Sequence, residues 1–324
     1  MRGWSHAADW LILKREAVAL CGGWPRVWPN AAGVYAGMSR TLSRLLQLPS
    51  ITVLALWMIV PLSMTLYFSF RRYHLLYPDR QGAAGWRNYN FFVTDPAFWP
   101  ALVNTALLVG MILLITVTLG LAIALLTHRE FPGRGLVRVM LISPFFIMPT
   151  VNAILWKNML LDPVNGLFNV VWRALGGSSI AWLESYPLAS IIIMLSWQWT
   201  PFAVLIFITA LQSEDREQKE AARIDGAGFW SQLRHLTLPH LARPIAVVIL
   251  IQMIFHLAIF AEISITTGGG PGIASTNLTF LVYKQALLNF NVGVAAAGGV
   301  IAIILANLFS LFLVRIVGQS LENR

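Results

Sequence analysis

Two sets of residues stand out for the chemistry that their types and spacing permit. The first lies in EAARIDGAGFWSQLRHLTLPHLARP, residues 220–244, between two long apolar stretches. Its Glu220, Arg223 and Asp225 can form ion pairs, and Ala221 and Ala222 leave a bare patch that another surface can approach closely. The second set consists of polar and aromatic side chains inside apolar stretches. Gln198, Trp199 and Phe202 stand in SWQWTPF, and Gln252, Phe255, His256 and Ile259 fall at i, i+3, i+4 and i+7, the spacing of one helix face. Glu262 continues close to that face. Polar groups within a membrane are costly and usually face an interior or a water-filled path. Amides meet hydroxyls and aromatic faces pack C–H groups, so this set suits a polyhydroxylated ligand.

Bond-making chemistry finds no comparable set. The six histidines are scattered, and the sequence contains no H-E-x-x-H, nucleophile elbow or paired-carboxylate site. The lone cysteine, Cys21, excludes an intrachain disulfide and a multi-cysteine metal site, and no residues are assigned to a metal. None of Lys14, Lys157, Lys219 and Lys284 follows a glycine, so no phosphate-cradling G-x-x-x-x-G-K-[ST] loop is present.

The elements that must position these residues follow from composition. Of 324 residues, 57% are hydrophobic and 11% charged, and the mean hydropathy is +0.68. Soluble domains carry about 25% charged residues. Six stretches, near 51–70, 101–126, 136–156, 187–211, 245–265 and 292–314, are long enough to cross a bilayer. Backbone in hydrocarbon must satisfy its own hydrogen bonds, so the expected fold is an all-α membrane bundle of six spans. Sixteen of the 23 Lys and Arg residues lie in the tail before Ile51, in loops 127–138 and 212–243, and at the end. That bias puts both termini and the Glu220 segment in the cytoplasm. The charge of +9 is spread among loops, with no basic and aromatic groove for nucleic acid.

Residues 1–50 show no clear period and read as a cytoplasmic tail or an over-extended frame with its start at Met38. Residues 51–318 form one membrane domain without visible repeats, and 319–324 a short tail. Pro61 implies a kink in the first span. Trp86, Tyr89, Phe91, Phe92 and Trp99 suit an outer interfacial belt. THREFPGRG is a turn that makes spans two and three antiparallel, and DPVNGLFNVVWRALGG reads as a turn and a short amphipathic helix on the outer face. The sequon at Asn277 reads as chance. In the Glu220 segment, a helix over 214–225 follows Ser213, Gly226 supplies a left-handed stop, and a second short helix ends at Pro239.

EAARIDGAGFWSQLRHLTLP resembles the EAA loop of binding-protein-dependent ABC importer permeases. Glu220, Ala221, Ala222, Asp225, Gly226, Ala227, Leu238 and Pro239 match its pattern, with Leu233 and Leu236 where Phe and Ile are frequent. The resemblance covers roughly residues 50–318 and implies a type I permease core in a bacterial inner membrane. It also implies that the loop docks on an ATP-binding subunit. Partners implied are two such subunits carrying ATP and Mg, a second homologous permease, and an extracytoplasmic solute-binding protein. Resemblance to maltose-type permeases puts Gln252, Phe255, His256 and Ile259, and likewise Gln198, Trp199 and Phe202, on sugar-contacting positions. LISPFFIMPTVNAILWKNMLLDPVNGLFN and FAEISITTGGGPGIASTNLTFLVY look most like sorbitol and mannitol permeases, which points to a polyol. The alternative is an ion- or proton-coupled carrier working without an ATPase, with Glu262 and His256 as a proton relay.

Overall fold

The computed structural model describes residues 40–128 and 131–322, so the expectations for Cys21 and Met38 lie outside the described residues. The chain divides into two units between Leu62 and Ser63. Among the described residues, the first unit holds most of α1 (Arg40–Ser69), an apolar helix with Pro49 and Pro61 inside it. Membrane helices accept such prolines because neighbouring groups re-satisfy the freed carbonyls.

The second unit opens on the last residues of α1, from Ser63 to Ser69, followed by a two-stranded antiparallel ribbon pairing Arg71 with Ala83 and Arg72 with Gly82, an addition to the all-α expectation. Helices α2 (Arg87–Thr94) and α3 (Phe98–His128) follow. Of the aromatic residues expected in an interfacial belt, Trp86, Phe91 and Trp99 are exposed, but Phe92 is fully buried. Its ring lies over Gly298, where a Cβ would come within 2.3 Å of it.

The third apolar stretch is not one helix. α4 (Arg134–Ile142) runs into a 3-10 turn over Ser143–Phe146, and the chain then turns by 101° before α5 (Pro149–Leu155) and a π turn, Trp156–Leu160. Ile147 and Met148 are extended at the break. Pro149 restricts Met148 to extended backbone and has no N–H to continue a helix across it. The sequence reading, which counted apolar length over 136–156, gave Pro149 too little weight.

The short helix α6 (Leu167–Ala174) falls within the expected turn-and-helix segment, and Asp162 Oδ1 accepts the Val164 and Asn165 N–H groups at 3.0 and 2.7 Å in the turn before it. After α7 (Trp182–Ser185), α8 (Pro187–Gln212) packs along α3. At Gly120 a Cβ would stand 2.7 Å from that of Ala203, so the missing side chain permits close approach.

α9 (Arg216–Ile224) and α10 (Phe229–Gln232) form an elbow, and a π turn over Leu233–Thr237 leads into α11 (Leu238–Leu257). The apolar helix therefore runs from Phe229 to Leu257 and stops eight residues short of the expected end at 265. Separate short helices follow: α12 (Ala261–Thr266), then α13 (Leu278–Tyr283) with a π turn over Lys284–Leu288. The last helix, α14 (Val292–Glu322), continues past the expected end at 314. Asn277 is fully buried, caps α13 through Phe280 N–H at 2.7 Å and donates to the Ile259 carbonyl at 2.7 Å, so its sequon is shut inside the fold.

Among the described residues, five helices are long and apolar enough to cross a membrane, and six if the bent pair counts as one span. The buried apolar residues form three clusters. One, with Leu108, Trp156, Ile191, Met253 and Phe280, joins α3, α5, α8, α11 and α13 around the two breaks. Another, with Ala203, Phe207 and Leu241, lies toward the elbow, and the third surrounds Phe92 and Leu278.

Gly298→Ala should overpack the Phe92 contact and destabilise the protein by about 1–3 kcal/mol. Gly110→Ala, whose Cβ would meet nothing within 4 Å, should leave the unfolding temperature unchanged or slightly raised. Thermal unfolding of the two variants in detergent checks the contrast.

Candidate functional site

The elbow is built from local rules. Asp215, rather than Ser213, caps α9, its Oδ1 accepting Glu217 N–H at 2.9 Å. Ser213 instead donates to the Ala210 carbonyl at 2.8 Å and closes α8. Gly226 takes φ +78°, the left-handed stop read from the sequence, and the Ala227 N–H returns to the Ala222 carbonyl at 2.9 Å. Pro239 does not end a helix. The Leu238 N–H reaches five residues back to the Leu233 carbonyl, and Pro239 follows in the first turn of α11. A π turn is a wider ring than an α turn, and here it accommodates the residue that lacks a donor.

Side-chain bonds fasten the elbow to the ends of the spans. Glu214 pairs with Lys219 at 2.8 Å and accepts the Thr237 hydroxyl at 2.9 Å. Gln232 Nε2 donates to the Ala227 carbonyl at 2.7 Å, and His240 Nε2 stands 2.9 Å from the Ala210 carbonyl. Around this frame, Glu220, Ala221, Arg223, Asp225 and Gly226 are exposed, with Ala222 and Pro239 half-buried and Leu238 36% exposed. Beside them stand Ile224, 86% exposed, and Trp230, 77% exposed, which the sequence reading did not single out. Two large apolar side chains in a strongly polar segment were the available signal. Exposed apolar groups rimmed by charge mark a surface that meets another one.

The second set converges on a cavity of about 460 Å³. Gln198, Trp199, Phe202, Phe255, Ile259 and Glu262 line it. Trp199 is the centre of an aromatic cluster, with its ring 5.4 Å from Phe145, 5.1 Å from Phe255 and 5.0 Å from His256. Phe145 stacks on Phe202 at 5.7 Å. Phe145 was missed because SPFF read as plain span, although an aromatic pair between two prolines marks a break in which side chains are redirected.

The one-face reading of residues 252–259 does not hold. α11 ends at Leu257, so Ile259 lies in the break and Glu262 on α12. Gln252 and His256 are fully buried and do not line the cavity. Gln252 accepts the Thr116 hydroxyl at 2.7 Å and donates to the Trp199 carbonyl at 3.3 Å. His256 lies against the Trp199 ring, and its two nitrogens meet no partner among the described residues. Helical spacing determines angle around an axis but not which angle is covered by a neighbour. Here α3 supplies Thr116 and α8 supplies Trp199, and both positions are covered.

Gln198 contributes differently from a free amide. Its Nε2 donates to the Ile147 carbonyl at 2.7 Å, and its Oε1 accepts from Asn152 at 2.8 Å. The amide therefore pins the broken third span to α8 at the cavity wall. Within that wall, Glu262 is the one acidic side chain, and it is 6% exposed. The space thus presents aromatic faces, one carboxylate and an amide that is already engaged.

Known proteins add the family. Residues 30–323 match the family described as "Binding-protein-dependent transport system inner membrane component". A probable ABC transporter permease protein, y4oQ of Sinorhizobium fredii, is 35% identical over 76% of this chain and 80% of its own. The trehalose/maltose transport system permease protein MalF of Thermococcus litoralis is 30% identical over 81% of this chain and 88% of its own. Among solved structures, a bacterial ABC transporter involved in import of the acidic polysaccharide alginate shares the fold, with a TM-score of 0.73 and 22% identity, covering 86% of this chain and 95% of that one. The alternative of a carrier that works without an ATPase is set aside by these matches. With its broken spans, apolar helices and exposed elbow, this chain belongs to the inner-membrane component family of binding-protein-dependent transport systems, as a multi-pass ABC importer permease and a transport subunit rather than an enzyme.

Proposed function

We propose that this chain forms half of the translocation path of an ATP-driven uptake system for a sugar or a sorbitol- or mannitol-like polyol. The observation that carries this reading is the elbow, a short capped helix fastened at its base with Ile224 and Trp230 standing in solvent. A docked partner would cover them, and a fastened frame would pass that partner's displacement to α8 and α11 rather than absorb it. The docked partner is an ATP-binding subunit, with ATP and Mg held on that chain. Its bias comes from binding one arrangement of the spans better than the other, because equal affinity shifts nothing. The assembly comprises two such subunits, a second homologous permease and an extracytoplasmic solute-binding protein. The six spans, the bent pair counted as one, have both termini in the cytoplasm.

The substrate class follows from the cavity and from relatives. Trp199, Phe202, Phe145 and Phe255 offer aromatic faces for the C–H side of a polyhydroxylated molecule, and Glu262 offers an acceptor for its hydroxyls. One relative is named for trehalose and maltose, and one structural neighbour for alginate. Gln252 and His256 hold the Trp199 wall from behind in this arrangement, and a shift of α8 against α11 would bring them to the path.

Glu220→Lys and Gly226→Pro should abolish uptake while membrane insertion stays normal, since proline cannot take the φ of +78° found at Gly226. Normal transport in both variants would remove the lever assignment. Trp199→Ala should lower uptake by at least about tenfold, the loss of some 1.4 kcal/mol, with the ATP-binding subunit still co-purifying. If that subunit were lost instead, Trp199 would belong to assembly and not to the path.

A further inference from the structure

The wall of the Trp199 cavity is one-sided in charge. Glu262 is its one ionisable side chain, and no Lys, Arg or His lines the space among the described residues. The His256 ring lies against Trp199 and does not enter it. Other buried polar side chains nearby serve the scaffold: Gln198 and Asn277 take free carbonyls, and Gln252 joins α3 to α8. The Glu262 carboxylate does none of this. Its own backbone N–H is the donor directed at it, and among the described residues no side chain of another element pairs with it. Burying an acid without a partner is costly, and in membrane proteins such a group usually serves a path.

We propose that Glu262 is a charge filter, which admits neutral sugars and polyols to the cavity and turns away anionic ones such as uronates and sugar phosphates. The inference deepens, and rests on, the proposed reading of this space as the solute path. A space of about 460 Å³ is roughly 10 Å across, and at that separation, with an effective dielectric constant near 20, a second negative charge loses about tenfold or more in affinity. The rest of the wall gives an anion nothing in return. Ring faces carry the negative side of the aromatic quadrupole, so Trp199, Phe202, Phe145 and Phe255 attract cations and repel anions. The Gln198 amide already donates to the Ile147 carbonyl. An unpaired charge of the ligand's own sign is the repulsive element by which a site rejects a competitor that is otherwise of the right shape. The same two features hold an amino-polyol better than the neutral polyol of equal size.

The test uses the complete transporter in vesicles, with Cys21→Ser to remove the chain's lone cysteine and Ile259→Cys to place a thiol in the cavity wall. Two methanethiosulfonate reagents of similar size are compared, one ending in a sulfonate and the other in a trimethylammonium group. Labelling of this chain is followed by intact mass, and the ratio of the two rates is divided by the ratio for a free thiol in solution. With Glu262 present the corrected ratio should favour the cationic reagent by at least about tenfold, and Glu262→Gln should bring it within about twofold of unity. Glu262→Asp, which keeps the charge, should retain the preference. Equal corrected ratios with Glu262 and with Gln at that position overturn the filter, and so does loss of the preference in Glu262→Asp as complete as in Glu262→Gln. Absence of labelling by either reagent also overturns it, because a space closed to both admits no solute to be filtered. The labelling ratio needs no solute and no ATP, so it decides the filter by itself, and a failure of the uptake reading would be seen separately, in the Trp199→Ala uptake assay.

Discussion

A hydrocarbon core offers no partner to a hydrogen-bonding group that a broken helix leaves free, and the arrangement of this permease follows from that constraint. The chain breaks twice within apolar sequence, at Ile147–Met148 and again after Leu257. Each break frees backbone carbonyls, and each is closed by side chains brought from elsewhere in the sequence. Gln198 takes the Ile147 carbonyl at the first, with Asn152 holding the amide in place. Thr279 and Asn277 take the Leu257 and Ile259 carbonyls at the second, at 2.6 and 2.7 Å. Leaving one such group unpaired costs about 1–3 kcal/mol in a protein interior, so these amides and hydroxyls are part of the scaffold.

The breaks also make the space around Trp199. A continuous third span would bury Phe145 and Pro149 in helix, and a continuous fifth would carry Ile259 and Glu262 along one stripe. Interrupted, both chains fold back and deliver Phe145, Ile147, Ile259 and Glu262 to one wall. Polar residues in this bundle therefore do two different things. Gln198 and Asn277 hold irregular backbone, whereas Glu262 faces the cavity. At the other end the elbow is held by the Glu214–Lys219 pair and by His240 against the Ala210 carbonyl, while Ile224 and Trp230 are exposed.

Much of the architecture was legible in the sequence because its causes are local. Apolar length gave the class, and the second and fourth stretches came within three residues at both ends, whereas the fifth helix begins sixteen residues before the expected 245 and ends eight before 265. Gly226 announced its left-handed turn, and the stretch from Glu220 to Pro239 announced the elbow. Where reading went astray, the cause was again identifiable. Pro149 was passed over inside an apolar stretch and Pro239 was read as a helix end, in neither case with the question of which partner would replace the missing N–H. In one case a chain break resulted, and in the other a π turn absorbed the proline within a continuous helix. Phe92 was assigned to a belt because aromatic rings suit an interface, but Gly298, some two hundred positions later, left room for it inside.

The sequence by itself determined that this is a helical membrane protein with a charged elbow between its fourth and fifth apolar stretches, because hydropathy, capping and glycine conformations act within a few residues of one another. Tertiary structure alone decided which polar residues face the cavity. Gln252, His256 and Phe255 share a helix, yet only Phe255 lines that space, since Thr116 and Trp199 from other helices cover the first two. Burial is a property of the neighbour as much as of the residue, and no neighbour brought from a hundred positions away is written in the local pattern.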